Sequence, residues 1–342
     1  MKNFKLIMKS LVNNDACIEG GRTKKWYFAL IFVVLALILA VLPITVSTIK
    51  TNGSDFTNLT YLYNYDNAIV AFSDHLYENE LHMVVQGEAK EKYLEVDQDV
   101  WNALHPQQKY IHRNLEDEID FEVYYSSKVG DEFNEFYLNV SKYANPYEPS
   151  EDSPRYASYL LFGKEMFAGQ LFKPSEENAI SGIAGDYKTL EVGFDFSDVA
   201  KITIDGVIYE TSQDEKFINN PLHLNSYRSS ILSSWNRIYD NLYYNSKLRA
   251  IRDSTLIMLG VDILLVFFMG LMVFILTRGK NNPFRIYTFW ETQKIAYWAA
   301  LAPGLLAMIL GFILPQYAVM IFVMLVGIRI MWMSMKSLKP AQ

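Results

Sequence analysis

Three groups of residues in this 342-residue chain could do chemistry. The first is DHLYENELH at 74–82, where His75, Glu78 and His82 share one face if a single helix runs through all of it. Two imidazoles and a carboxylate on one helical face are a zinc-binding pattern. Asn79 and the following MVVQG argue that the helix ends inside the motif, which leaves ordinary surface residues and no expected metal site. The second group is Asp262 and Arg329, two charges inside otherwise apolar runs. Counted along ideal helices they lie about 12 and about 18 Å below the outer ends of their spans, a difference of one side-chain length. A charge is costly in a bilayer, and pairing across the bundle lowers the cost. Three readings follow: a structural pair holding two spans together, a proton or ion relay, or separate residues, with Arg329 snorkelling toward the cytoplasm and Asp262 neutralised or hydrated. The third group is the tyrosines, which either stack on sugar rings or, at alternating strand positions, build a core. No zinc-protease HExxH, nucleophile-elbow GxSxG, Walker loop, dinucleotide fingerprint or EF-hand loop is present. The expectation is therefore a non-enzyme with no catalytic residue, no cofactor and no metal.

The elements that position these residues are unevenly distributed. Residues 51–253 hold 34 Asp and Glu against 17 Lys and Arg, a net of −17, while the remainder holds 4 acids and 14 bases. An acidic surface repels phosphate, so nucleic acid is not an expected partner of the middle region. The remainder carries four runs long enough to cross the roughly 30 Å hydrocarbon core. They are 26–49, 254–277, 295–314 and 317–335, the last two joined through Leu314-Pro315-Gln316 as a tight hairpin. The first run is read as an uncleaved anchor, since its polar leader is long and no small-x-small cleavage site follows. Lys2, Lys5, Lys9, Arg22, Lys24 and Lys25 precede it, Arg278, Lys280 and Arg285 follow the second run, and Lys336 and Lys339 follow the fourth. By the positive-inside rule all three clusters are cytoplasmic. That places 1–25, 278–294 and 336–342 inside a bacterial plasma membrane and residues 50–253 outside it. Lys247, Arg249 and Arg252 at the outer headgroups depart mildly from the rule.

Within the bundle, Ala300, Gly304, Ala307 and Gly311 form two small-xxx-small steps that admit a neighbouring helix closely, with Pro303 as a kink. These residues assemble a bundle; a self-sufficient transporter would need an inverted repeat that is not seen. FRIYTFWETQK at 284–294 is either an interfacial helix at the headgroups or the plain start of span three. Cys17 is the lone cysteine, so no intramolecular disulfide can form, which suits a Gram-positive or mycoplasma-like bacterium. It precedes the apolar run and follows Asn-Asp-Ala, which argues against a lipoprotein.

The outer region reads as α+β. Strands are predicted at 119–127, 135–140, 189–196 and 201–210, with Asp205-Gly206 as a two-residue hairpin turn, and a further hairpin at 155–172 turns near Gly163. Helices are predicted at 65–80 and 98–105, and the Pro-rich 145–154 is a surface loop. Ile231, Trp235, Ile238, Leu242 and Leu248 recur at helical spacing from 225 to 253 without a breaker before span two, predicting a continuous stalk helix. The whole is an α-helical membrane bundle of four transmembrane helices with an α+β extracytoplasmic domain.

The opening FKLIMKSLVNNDACIEGGRTKKWYFALIFVVLALILAVLP resembles the start of a bacterial family of multi-span membrane proteins of unknown function. Its members begin with an FK-x-x-x-KSL segment, a basic stretch and a first span ending near a proline, here Pro43. The segment CIEGGRTKKWYFA at 17–29 is similar to a branch found in Firmicutes and mollicutes, the maltodextrin-utilisation protein MalA. The resemblance covers roughly the first 50 and last 90 residues and not the outer domain. It implies an accessory role in maltose or maltodextrin uptake beside a sugar ABC transporter, whose subunits, binding lipoprotein or oligosaccharide would be partners besides the lipid bilayer. It supplies no catalytic residues. An extracytoplasmic sensor or envelope-organising protein, and a membrane-anchored hydrolase built on scattered carboxylates, are the competing functions.

Overall fold

Where the sequence stays apolar for 18 residues or more it forms helix, because a lipid-facing backbone must satisfy its own hydrogen bonds. The computed structural model describes residues 2–57, 65–88, 91–144, 157–172, 179–278 and 283–338; the expected loop at 145–154, Lys280 and Lys339 lie outside them. The chain divides into two units, Thr51–Leu248 and a second made of Met1–Lys50 with Arg249–Gln342. The second unit begins with α1 (Lys2–Val12) and α2 (Asn14–Thr23). Asn13 caps α2 by accepting the Asp15 N–H through its side chain. Then follows α3 (Trp26–Lys50), which carries Pro43 within it.

The Thr51–Leu248 unit begins with α4 (Tyr65–Glu78), the hairpin β1 (Met83–Glu88) and β2 (Glu91–Val96), and α5 (Gln98–Leu104). Next come β3 (Lys109–Arg113), β4 (Ile119–Ser126), α6 (Gly130–Ala144), β5 (Ser158–Gly163), β6 (Met166–Phe172) and β7 (Ala179–Asp186). These five strands form one sheet in the order β3-β4-β5-β6-β7; β4 and β5 pair parallel and the other pairs are antiparallel. A separate hairpin, β8 (Ile202–Ile204) and β9 (Val207–Tyr209), and the short α7 (Lys216–Asn219) lead into α8 (Pro221–Leu276). The two-residue periodicity of strands divides the core. From β5, Leu160 and Phe162 face one cluster with Phe72, Trp235 and Tyr239, while Tyr159 and Leu161 face another with Phe133 and Val140 of α6. The sheet is therefore covered by α4 and the first part of α8 on one face and by α6 on the other.

Two predicted strands are not strands. Residues 135–140 lie inside α6, because Phe133, Phe136, Tyr137 and Val140 follow the i, i+3, i+4, i+7 spacing of a helix and pack together on the sheet. Alternation over six residues mimicked a strand only because the window was short. Residues 189–196 are turns: Gly193 takes φ of 85°, and Asp195 accepts the Ser197 N–H to start a 3-10 turn over Phe196–Ala200. An isolated bridge between Val84 and Asp195 is all the strand pairing that segment makes among the described residues. By contrast Asp205 and Gly206 both hold positive φ, 49° and 78°, as the tight turn between β8 and β9 requires.

The second unit is completed by α9 (Phe289–Gly311) and α10 (Ala318–Lys336). Among the described residues four helices, α3, α8, α9 and α10, are long and apolar enough to cross a membrane. The segment 284–294 is not a separate helix: a 3-10 turn covers Pro283–Ile286, and α9 starts at Phe289 behind a capping box of Thr288 and Glu291. An α-carbon substituent added at Gly304 would lie 2.8 Å from Ala36 Cα, and one at Gly311 would lie 2.8 Å from the Pro43 ring. Gly304 and Gly311 thus let α3 and α9 run side by side in the same direction, in contact too close for any larger residue. Ala300 and Ala307 are wholly buried on the same stretch of α9.

Candidate functional site

The polar residues of the folded domain meet in pairs and small networks. Helix α4 ends at Glu78, with Glu80 at φ 49°, and this end scatters the three residues of DHLYENELH. Glu78 accepts the Thr211 hydroxyl at 2.6 Å. His82 Nδ1 meets Asp195 Oδ2 at 2.6 Å, and His75 Nε2 meets His105 Nε2 at 3.0 Å. Among the described residues no group of three or more His, Cys, Asp or Glu could hold a metal ion.

The histidine pair is built from the α4 and α5 ends. His105 Nδ1 lies 3.0 Å from the Trp101 carbonyl, which can only accept, so His105 carries its proton on Nδ1 and offers a bare Nε2. His75 then donates from Nε2 and accepts the Asn79 amide on Nδ1 at 3.1 Å. Every nitrogen is used with both rings neutral. Burial and the neighbouring His105 lower His75 to about 4, and burial also lowers His105 against the opposing Trp101 carbonyl.

Asp195, His82 and Ser197 resemble a hydrolytic triad in composition only. The Ser197 hydroxyl and the Asp195 carboxylate both approach His82 Nδ1, at 3.3 and 2.6 Å, whereas proton relay needs them on opposite ring nitrogens. Asp195 also accepts the Met83 and Ser197 N–H groups. Burial alone would raise its carboxyl, but these donors hold it below its ordinary value. Asp74 is buried and accepts the Ser212 N–H at 3.1 Å, the Ser212 hydroxyl at 2.5 Å and the Tyr227 hydroxyl at 3.0 Å. Burial still pushes its carboxyl up. Glu122, wholly buried, accepts Lys109 Nζ at 2.5 Å and the Tyr124 hydroxyl at 2.6 Å. The tyrosines that could serve as sugar platforms are largely internal: Tyr65, Tyr159, Tyr187, Tyr209, Tyr227 and Tyr239 are all buried.

Asp262 and Arg329 are not brought together. Arg329 Nε donates to Asn14 Oδ1 at 3.3 Å and one terminal nitrogen donates to the Ala299 carbonyl at 2.9 Å. The other terminal nitrogen donates to the Ser10 carbonyl and to Cys17 Sγ, the latter at 3.2 Å. Cys17 itself is wholly buried, and burial pushes its thiol up to about 11 against the lowering pull of the Arg329 guanidinium. Asp262 is wholly buried on α8 and neither carboxyl oxygen has a hydrogen-bond partner among the described residues.

The Arg329 cluster was missed at the level of sequence because 1–25 reads as a basic tail. Two signals were there. Gly20 and Gly21 bring α2 against Trp298 and Ile295 of α9, where an added Cβ would lie 2.6 Å from either side chain. The polar NNDA run around Asn13 supplies the break and cap between α1 and α2.

The four spans and the α+β domain define a multi-span membrane protein. No family model, no curated protein and no solved structure matches the chain.

Proposed function

We propose that this is a non-enzymatic accessory protein of the bacterial plasma membrane, with both termini cytoplasmic and the acidic domain outside, acting in maltodextrin uptake beside a sugar ABC transporter. The observation that carries the reading is helix α8. Tyr227, Ile231, Trp235, Ile238 and Leu242 of this one helix are core residues of the folded domain, and its residues from Arg249 onward belong to the bundle. A helix shared between a binding domain and a span suits a protein that reports or steadies an outer contact at the membrane. The resemblance of residues 17–29 to the maltodextrin-utilisation branch supplies the pathway, and the acidic excess over 51–253 with bases flanking the spans supports the orientation. The buried Asp74 and Glu122 carboxylates are engaged by donors, which favours a scaffold over a hydrolase.

Affinity purification of the full-length protein from gently solubilised membranes tests this. Transporter subunits or a binding lipoprotein are expected in the eluate, and maltodextrin uptake is expected to fall on deletion. Recovery of neither, with uptake unchanged, overturns the proposal. A second reading, an outer sensor, is favoured by the neutral His75–His105 pair, which loses the Asn79 bond when His75 takes up a proton and the bond between the rings when His105 does. Normal growth on maltodextrin with altered envelope morphology in the deletion strain would select that reading.

A further inference from the structure

Helix α1 has three faces where a water-facing helix has two. At about 100° per residue, Leu6 and Ser10 turn toward the protein, Phe4, Met8 and Val12 form a second stripe, and Lys5 and Lys9 form a third beside it. Leu6 and Ser10 are buried, whereas Phe4, Met8 and Val12 are 68, 51 and 90% exposed. An apolar stripe open on the surface and bordered by lysines is the pattern of a helix that lies in a membrane–water boundary.

The bundle puts α1 at that boundary. Ala36 opposes Gly304 and Pro43 opposes Gly311, so α3 and α9 are parallel and begin at the same end. Gly311 also meets Ala318, and Arg329 reaches the Ala299 carbonyl, so α10 returns to that end. Exposed Trp26, Trp290 and Trp332 mark it, as tryptophans do at a membrane interface. Helix α1 is fixed there through its Ser10 carbonyl, which accepts from Arg329. Charge complementarity and position together name the occupant of the open stripe: outside residues 51–253 the chain has 14 bases to 4 acids, which favours an anionic surface over a basic or neutral one, and the exposed tryptophans at the same end make that surface the bilayer.

We propose that α1 is a surface anchor that buries Phe4, Met8 and Val12 at the headgroup–acyl boundary of an anionic leaflet while Lys5 and Lys9 contact lipid phosphate. The test is nitroxide labelling of full-length Met8→Cys and Lys9→Cys proteins in nanodiscs of phosphatidylcholine with or without phosphatidylglycerol. Wild-type protein serves as the labelling control for the buried Cys17. The ratio of oxygen to nickel-chelate collision is read at each site. In anionic discs the ratio at position 8 is expected to exceed that at position 9 by about threefold or more, and to fall when phosphatidylglycerol is omitted. Equal ratios at the two positions would place the stripe in water and overturn the proposal. Suppression of both collisions at position 8 would show a protein partner or a second copy covering it, with the same consequence. A ratio indifferent to phosphatidylglycerol would overturn the anionic character of the leaflet that the proposal requires. If Met8→Cys fails to fold, Val12→Cys on the same stripe takes its place.

Discussion

The two units of this protein treat their wholly or nearly buried carboxylates in opposite ways. In the Thr51–Leu248 unit Asp74 collects three donors, and Glu122 collects a lysine and a tyrosine hydroxyl. In the other unit Asp262 has no hydrogen-bond partner among the described residues, and Arg329 is held by neutral acceptors from Ser10, Asn14, Cys17 and Ala299. A domain that folds from water loses the hydration of a buried carboxylate, and specific donors offset that loss. A span has no hydration shell at its centre to lose once inserted, so packing between small residues governs its assembly. The difference predicts that polar substitutions damage the domain and steric ones damage the bundle.

The largest effect is expected for Lys109→Met. Among the described residues the change leaves the buried Glu122 carboxylate with Tyr124 as its one side-chain donor, and breaking such a pair costs about 3–5 kcal/mol. Thermal unfolding of the detergent-solubilised full-length protein should show a large fall in the domain transition. The double variant with Glu122→Gln should recover part of it, because no charge then remains buried. An unchanged midpoint for Lys109→Met would remove the contrast from the domain side.

Next in size is Gly304→Val in the bundle. The new side chain would start 2.8 Å from the Ala36 backbone, and overpacking of this kind costs about 1–3 kcal/mol. A lower bundle transition and a reduced monodisperse fraction on size exclusion are the readouts. An equally stable variant would mean that α3 and α9 are not held by close approach.

A smaller effect, confined to the domain, comes from the histidine pair. Folded His75 titrates near 4, below its ordinary 6.5, so as pH falls the unfolded chain takes up the proton first. The pair's contribution is therefore full above about 6.5 and is lost as pH drops from there toward about 4. His75→Gln still offers a donor to His105 but does not titrate. The midpoint of wild type is expected to fall more steeply across that window than the midpoint of His75→Gln. Parallel slopes would show that the carboxylates alone set the acid response.

What the sequence disclosed follows the same division. The spans were legible because a bilayer imposes one long uniform signal on each, and the β8–β9 turn was legible because Asp205-Gly206 is local. The strand expected at 135–140 was misread from a window too short to separate alternation from helical spacing. The one expected at 189–196 failed because Gly193 and the capping Asp195 end the extended run. The partners of Asp74 were out of reach for a different reason: Ser212 and Tyr227 lie 138 and 153 residues away, and no local pattern joins them. The end of the helix inside DHLYENELH was legible from Asn79 and the MVVQG that follows, and the helix does stop at Glu78. Phe4, Met8 and Val12 were in plain view at helical spacing, yet they gain meaning only when Leu6 and Ser10 are seen to be occupied by the bundle.

The smallest expected effect carries the most information about the bundle. If Asp262 makes no bond in the assembled spans, Asp262→Asn removes nothing that the fold uses, and the midpoint should move by less than about 1 kcal/mol equivalent. A loss as large as that of Lys109→Met would mean that the carboxyl has a partner that the isolated chain does not supply. Because Asp262 is wholly buried, that partner would be an enclosed water or ion, and the outcome would end the contrast between the two units.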